Sequence, residues 1–263
     1  MLALLRAELR RELRLWWSYR ANALLEIGVY ALVFGVLMVL FQDLAARSGA
    51  AYGPSQQAAS VIGALVWHLC MGTMVELSAI VRNEADTGTL ELVILSAPSA
   101  LSMFMARAAA ISLFRGSQTL LIGVLLVVIL RLPLAFSLTM LPVLLLTLLG
   151  VWGMGLTFAG IALVYKQVQN LARLVGNLSL FFAGALVPLN TLGLVFELLK
   201  YFFPMTWGID LLRLLLLGKA GAAMVAGQVG GLFVQTAILF GVGVVVFQWG
   251  LARARHGARL ATY

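Results

Sequence analysis

Arg82-Asn83-Glu84-Ala85-Asp86-Thr87-Gly88-Thr89-Leu90-Glu91 places four charged residues in ten positions, between two long apolar runs. The chain around it is 62% hydrophobic with a mean hydropathy of +1.03, so most of it belongs in lipid. The bilayer core has no water to solvate charges, so acidic and basic groups this dense must lie outside it. A compact charged loop on one face of a membrane protein is a docking surface for something soluble.

Charged residues make up only 11% of the 263 positions, far below the roughly 25% of soluble domains. The composition is that of one membrane domain, with no soluble catalytic domain expected. The single cysteine, Cys70, sits in an apolar run, which excludes a disulfide framework or a cysteine metal site. The net charge of +8 could suggest nucleic acid, but the basic residues flank apolar runs and read as topology signals, so no nucleic-acid partner is expected. The start does not read as a cleaved signal peptide, because its charged region is long and the apolar run after it is long enough to stay in the membrane.

A crossing helix needs about 20 apolar residues. Six such runs are legible: Ala23 to Phe41, Ala58 to Val81, Ala108 to Leu130, Leu138 to Tyr165, Leu171 to Val187 and Val229 to Leu251. Their continuity excludes the alternation of a barrel strand. The fold class is therefore an all-α polytopic membrane protein with six transmembrane helices. Between the last two runs, Leu192 to Phe203 contains Glu197 and Lys200, Pro204 breaks it, and Trp207 to Leu217 follows. These pieces of 10 to 14 residues read as a short re-entrant external helix pair at about 192–218; two further full crossings are the alternative count. With six crossings one side holds 13 of the 18 Lys and Arg, and the other holds Arg47, Arg131, Lys200, Arg213 and Lys219. That excess places both termini in the cytoplasm.

Residues 1–22 read as an amphipathic N-terminal interface helix, and 23–263 as a single permease domain. Leu2, Leu5, Leu9, Leu13 and Trp16 recur at helical spacing, and Arg6, Arg10 and Arg14 form a basic row on another face. This helix is either a plain surface anchor or a lever that also touches a partner.

Enzyme motifs are missing. There is no phosphate loop to cradle ATP, no H-E-x-x-H and no G-x-S-x-G. No catalytic residue, metal site or resident cofactor is expected in this chain. The intramembrane polar candidates are Glu76, Arg115 and His68, with Glu26 opening the first run. Ionisable groups in a membrane mark function by default, but nearness to the interface also allows snorkelling, and a lone histidine can simply bond across helices. A Glu76–Arg115 pair requires that their helix ends be neighbours.

In the charged loop, Gly88 and Thr89 are expected to start a short helix with Leu90, Val93 and Ile94 on one face. Glu91 suits its positive N-terminal dipole. Pro98, between Ser96 and Ser99, ends it and can open the next helix. The alternative is a solvated loop.

These features together resemble the permease of a type-2 ATP-binding cassette transporter, an exporter transmembrane subunit. The matching residues are Glu84, then Gly88, Thr89, Leu90 and Glu91, then Pro98. A second match is Phe203-Pro204-Met205-Thr206-Trp207-Gly208-Ile209-Asp210 with Arg213 and Gly218. The resemblance implies a second permease copy or paralogue and two copies of a separate ATP-binding subunit. ATP and Mg would be bound on that partner. It also implies a coupling helix at about 84–98, with Glu84, Asp86, Gly88, Thr89, Leu90, Glu91, Val93, Ile94 and Pro98 at the ATPase. Glu197, Pro204, Trp207, Asp210 and Arg213 would stand on the exit-side helices. The implied task is export of a drug, lipid or glycan from a bacterial cytoplasmic (inner) membrane, with membrane lipids as further partners. Trp67, Trp152 and Phe158 could line a path, although membrane aromatics are more often packing or belt residues.

The main rival is an ion- or proton-coupled secondary transporter. Such proteins often carry broken helices at matching positions of two halves. Here the Pro188 and Pro204 breaks both fall in the second half.

Overall fold

The computed structural model describes residues 2–48, 53–88, 99–132, 138–165, 168–182, 184–185, 202–217 and 222–256. Among the described residues there are eight helices and no strand. They are α1 Leu2–Ser18, α2 Arg20–Ser48, α3 Pro54–Asp86, α4 Ala100–Leu130, α5 Met140–Ala162, α6 Val168–Phe182, α7 Pro204–Leu217 and α8 Ala222–His256. Prolines mark helix starts: Pro54 and Pro204 are first residues and Pro142 lies in the first turn of α5, where a missing N–H costs nothing. Ser99 caps α4, its Oγ accepting from the Ser102 N–H at 3.0 Å, so the helix begins eight residues before the apolar run does. Arg131 ends α4 in the left-handed region with φ 51 and ψ 44.

Five of these helices, α2, α3, α4, α5 and α8, are long and apolar enough to cross a membrane. The protein is a multi-pass membrane protein. The run expected as the fifth of six crossings forms α6, whose 15 residues rise only about 22 Å. The rest of that run, up to Val187, lies mostly outside the described residues.

α3 is the axis of the bundle. Its apolar window is 83% buried, against 17–22% for α2, α4 and α8. Leu24, Leu25, Val29 and Leu32 on α2, or Phe233, Val234, Ile238 and Val245 on α8, would be untenable in water as continuous apolar faces; in lipid they are the solvated surface.

α5 and α8 pack through glycine. A Cβ on Gly160 would come 2.6 Å from the Val246 carbonyl oxygen, and one on Gly153 would meet the Leu239 and Phe240 backbone. Gly243 and Gly250 answer from α8. Each pair is seven residues apart, two helical turns, so the backbones touch twice along one seam. Residue numbers rise together on both helices, so α5 and α8 run parallel.

α7 enters the bundle at depth. Its first residue, Pro204, lies against Gly150, ten residues into α5, and Gly208 lies against Thr147, nearer the α5 start. α7 thus begins roughly 15 Å down α5 and runs back toward the end where α5 begins.

Candidate functional site

Two charged storeys join helices at one end of the bundle. In the first, Arg107 on α4 donates from Nη1 to Glu84 Oε1 on α3 at 2.7 Å. Its Nε and Nη2 donate to the two carboxylate oxygens of Glu8 on α1 at 3.2 and 3.3 Å. Arg11 stands 3.6 Å from Glu8 and 3.9 Å from Glu84. Arg107 and Glu84 are buried, and each charge is met by another. One guanidinium therefore ties the interface helix to the end of α3 and the beginning of α4.

The second storey lies eight residues along both helices, about 12 Å further in. Arg115 donates from Nε to Glu76 Oε1 at 2.7 Å, and from Nη1 to Glu26 Oε1 at 2.6 Å and to Gln118 Oε1 at 3.0 Å. Gly72 makes room for it: a Cβ there would stand 3.1 Å from the Arg115 Cδ. Two carboxylates share one guanidinium, so the storey carries a net negative charge when all three are ionised. Glu12, on α1, feels it: burial first, and the Glu76 carboxylate second, hold the Glu12 carboxyl above its ordinary range.

A third polar contact lies on this stripe of α4. His68 Nδ1 and Thr119 Oγ1 are 2.9 Å apart, with Tyr30 edge-on to the His68 ring at 4.4 Å between centroids. The aromatic candidates are likewise engaged. Trp67 Nε1–H donates to the Gly176 carbonyl at 3.1 Å and to Ser179 Oγ at 3.0 Å, and Trp152 Nε1–H to Ser112 Oγ at 2.8 Å. Phe158 is buried in the core.

At the opposite end, Arg213 on α7 is buried among carbonyls. It donates from Nε to Ala59 at 2.9 Å and from Nη1 and Nη2 to Gly184 and Ala185, both at 2.8 Å. Asp210 lies one turn away at 3.9 Å. Gly184, with φ 65, turns the chain just beyond α6, and Arg213 takes up the carbonyls this exposes. Trp207 packs where Gly231 of α8 leaves space.

The Glu76–Arg115 pair expected from sequence is therefore formed, with Glu26 as third member. Pro204, Trp207, Asp210 and Arg213 sit on one helix. The loop reads differently at its start. α3 continues through Asp86, so Glu84 and Asp86 belong to the end of a long helix, and Gly88, with φ 68, follows that helix as its left-handed stop. Thr87 Oγ also bonds back to the Asn83 carbonyl at 2.9 Å. No breaker precedes Gly88, and the Glu84–Arg107 contact holds the last turn in place. Thr89, Leu90, Glu91, Val93, Ile94 and Pro98 lie outside the described residues, as does Glu197. Sequence alone marks Glu84 within the charged loop but gives no sign of its contact with Arg107 or of the part played by Glu8, which stands among arginines.

Comparison with known proteins agrees with this architecture. The sequence model of the ABC-2 type transporter family matches residues 1–217. No curated protein matches the chain. The match takes in α1, both charged storeys, the loop after α3 and α7, and so covers well over half the chain. The chain belongs to the ABC-2 type transporter family, whose members are the membrane permeases that work with an ABC ATP-binding subunit.

Proposed function

We propose that this chain exports a hydrophobic, amphipathic or lipid-linked substrate, such as a drug, lipid or glycan, out across a bacterial cytoplasmic membrane. Two copies of a separate ATP-binding subunit, carrying the ATP and Mg, drive two permease copies or paralogues. The observation that carries this reading is the Arg107 clamp. The segment at about 84–98 begins where α3 is bolted to α4 and, through Glu8, to α1. A push on that segment from below has no slack to absorb it and passes into three helices at once.

Six crossings with both termini in the cytoplasm is the arrangement we adopt. The parallel packing of α5 and α8 supports it, because a chain that descends α5 must return across the membrane before it can descend α8. α6 begins that return, and α7 starts at depth and runs back toward the exit side. Arg213 ties α7 to the turn beyond α6 and to the start of α3, so the exit-side elements move together.

The test is a mild-detergent pull-down of the tagged chain from its native host. A stoichiometric subunit with a phosphate loop, and ATPase stimulation that Glu91→Lys removes in a folded chain, are expected. Recovery of a folded chain with no ATPase, and transport that follows a proton gradient, would overturn the reading in favour of the secondary transporter.

A further inference from the structure

α1 has two chemically opposed faces. Glu8 and Glu12 turn inward to Arg107 and Arg11. At about 100° per residue, Arg10 and Arg14 stand roughly 200° and 240° around the helix from Glu8, on the outer side. Both are exposed, and neither makes an ion pair among the described residues. With Arg11, Ala7, Leu15 and Ser18 they line an open groove of about 610 Å³. Arg6 extends the row by one turn and is equally unpaired among the described residues.

The groove lies at headgroup level. The hydrogen-bond ladder runs on from α1 into the span α2, with the Tyr19 N–H donating to the Leu15 carbonyl at 2.9 Å and the Ala23 N–H to Tyr19 at 3.1 Å. α1 therefore emerges directly from lipid. Leu13 and Trp17 are 56% and 66% exposed beside the arginines, which a surface wetted on all sides would not favour. Trp17, with Arg20 over its ring at 5.4 Å, is an interfacial anchor. Three guanidiniums in the plane of the headgroups, next to apolar side chains that reach the acyl boundary, match the phosphate of an anionic phospholipid.

We propose that the outer face of α1 is a binding site for anionic phospholipid headgroups, with Arg10 and Arg14 as the principal phosphate ligands. Because the inner face of the same helix holds Arg107 and, through it, Glu84, bound lipid fixes the helix that braces the end of α3. The protein is then sensitive to the charge of the leaflet around it, a property separate from the identity of its substrate.

The experiment uses the full chain alone, so its outcome does not depend on any ATPase. The chain is placed in nanodiscs of equimolar phosphatidylcholine and phosphatidylglycerol, and the lipids it retains on release are measured by native mass spectrometry. Enrichment of phosphatidylglycerol is expected. R10Q/R14Q should lower that enrichment roughly fivefold per arginine. R253Q removes another exposed arginine, on α8, and should leave it unchanged. Equal melting of all three proteins in phosphatidylcholine discs establishes that the substitutions spare the fold. Unchanged enrichment in R10Q/R14Q, or an equal fall in R253Q, overturns the proposal. Complete displacement of the retained lipid by inorganic phosphate overturns it in favour of a soluble anion site.

Discussion

Arg115 on α4 bonds simultaneously to Glu76 on α3 and Glu26 on α2, so a single guanidinium holds three helices inside the bundle. Leucine in its place leaves two carboxylates facing each other with no cation. We expect Arg115→Leu to cost roughly 3 kcal/mol, the low end of the range for breaking a buried pair, because the Glu76 side chain retains 36% exposure. Glu76→Gln keeps a hydrogen-bond acceptor and should cost less. In thermal unfolding of the purified chain, a double-mutant cycle between the two should give a coupling of about 1–3 kcal/mol. Additivity of the single effects would mean that the pair carries no net energy.

Glu84 and Arg107 make the corresponding contact at the end of α3, where the charged loop begins. Glu84→Arg places three guanidiniums together with Arg11 and Arg107, and should reduce both stability and ATPase stimulation. The exchange Glu84→Arg with Arg107→Glu restores the attraction between α3 and α4 but sets the new carboxylate on α4 against Glu8, so recovery should be partial. Stability that recovers while ATPase stimulation does not would assign Glu84 a direct contact with the motor as well as its contact with Arg107.

The glycine seam predicts a sharp contrast. Gly160→Val drives a side chain into the Val246 carbonyl and should cost at least about 1–3 kcal/mol, because backbone cannot step aside as a flexible side chain can. A Cβ added at Gly241, on α8, would have nothing within 4 Å. Gly241→Ala should therefore be neutral or stabilising, by up to about 1 kcal/mol, since alanine favours the helix. Melting temperatures of the two variants in one detergent decide it. Similar values for both would remove the seam as a determinant of the α5–α8 contact.

The long apolar runs are legible because a crossing helix advertises itself by length alone. α2, α3, α4 and α8 each contain the run read from sequence, and α5 covers all but the ends of the Leu138 to Tyr165 run. Helix ends are less legible. α4 starts at its Ser99 cap rather than at its first purely apolar residue, and α3 overruns the apolar run to reach Gly88. Hydropathy sees where lipid ends, whereas caps and stops set where the helix ends. Of the site, Glu76 and Arg115 stand out because charges are rare inside apolar runs. Glu8 and Arg107 do not, and Glu84 is singled out only as part of the charged loop; the contact among the three exists only because three helices bring them within 3.3 Å.

Glu12 gives the chain a pH response of defined sign. Its carboxyl is raised above the ordinary value of 4.5, first by burial and then by Glu76. The folded state therefore holds this proton more tightly than the unfolded state does. The stabilisation is complete below 4.5 and is lost as pH rises through the higher folded value. Glu12→Gln, which is neutral throughout, should lose less stability over that interval than the wild type. Melting curves taken on both sides of it test this; parallel loss in the two proteins would show that Glu12 does not titrate there.

Sidedness can be read with single cysteines, because the native Cys70 is fully buried and should stay silent to a membrane-impermeant maleimide. Ser55, at the exposed start of α3, and Thr87, exposed just past its end, are separated by the whole helix. Ser55→Cys should label in intact cells and Thr87→Cys only after permeabilisation. Ser18→Cys and Ala252→Cys, exposed near opposite ends of the chain, should both behave like Thr87→Cys. This last pair probes the return crossing directly. If α6 and the stretch after it did not recross, α8 would have to end on the other side, and Ala252→Cys would label in intact cells. That result could not coexist with α5 and α8 lying parallel along their glycines, so one labelling experiment tests both the number of crossings and the packing that implies it.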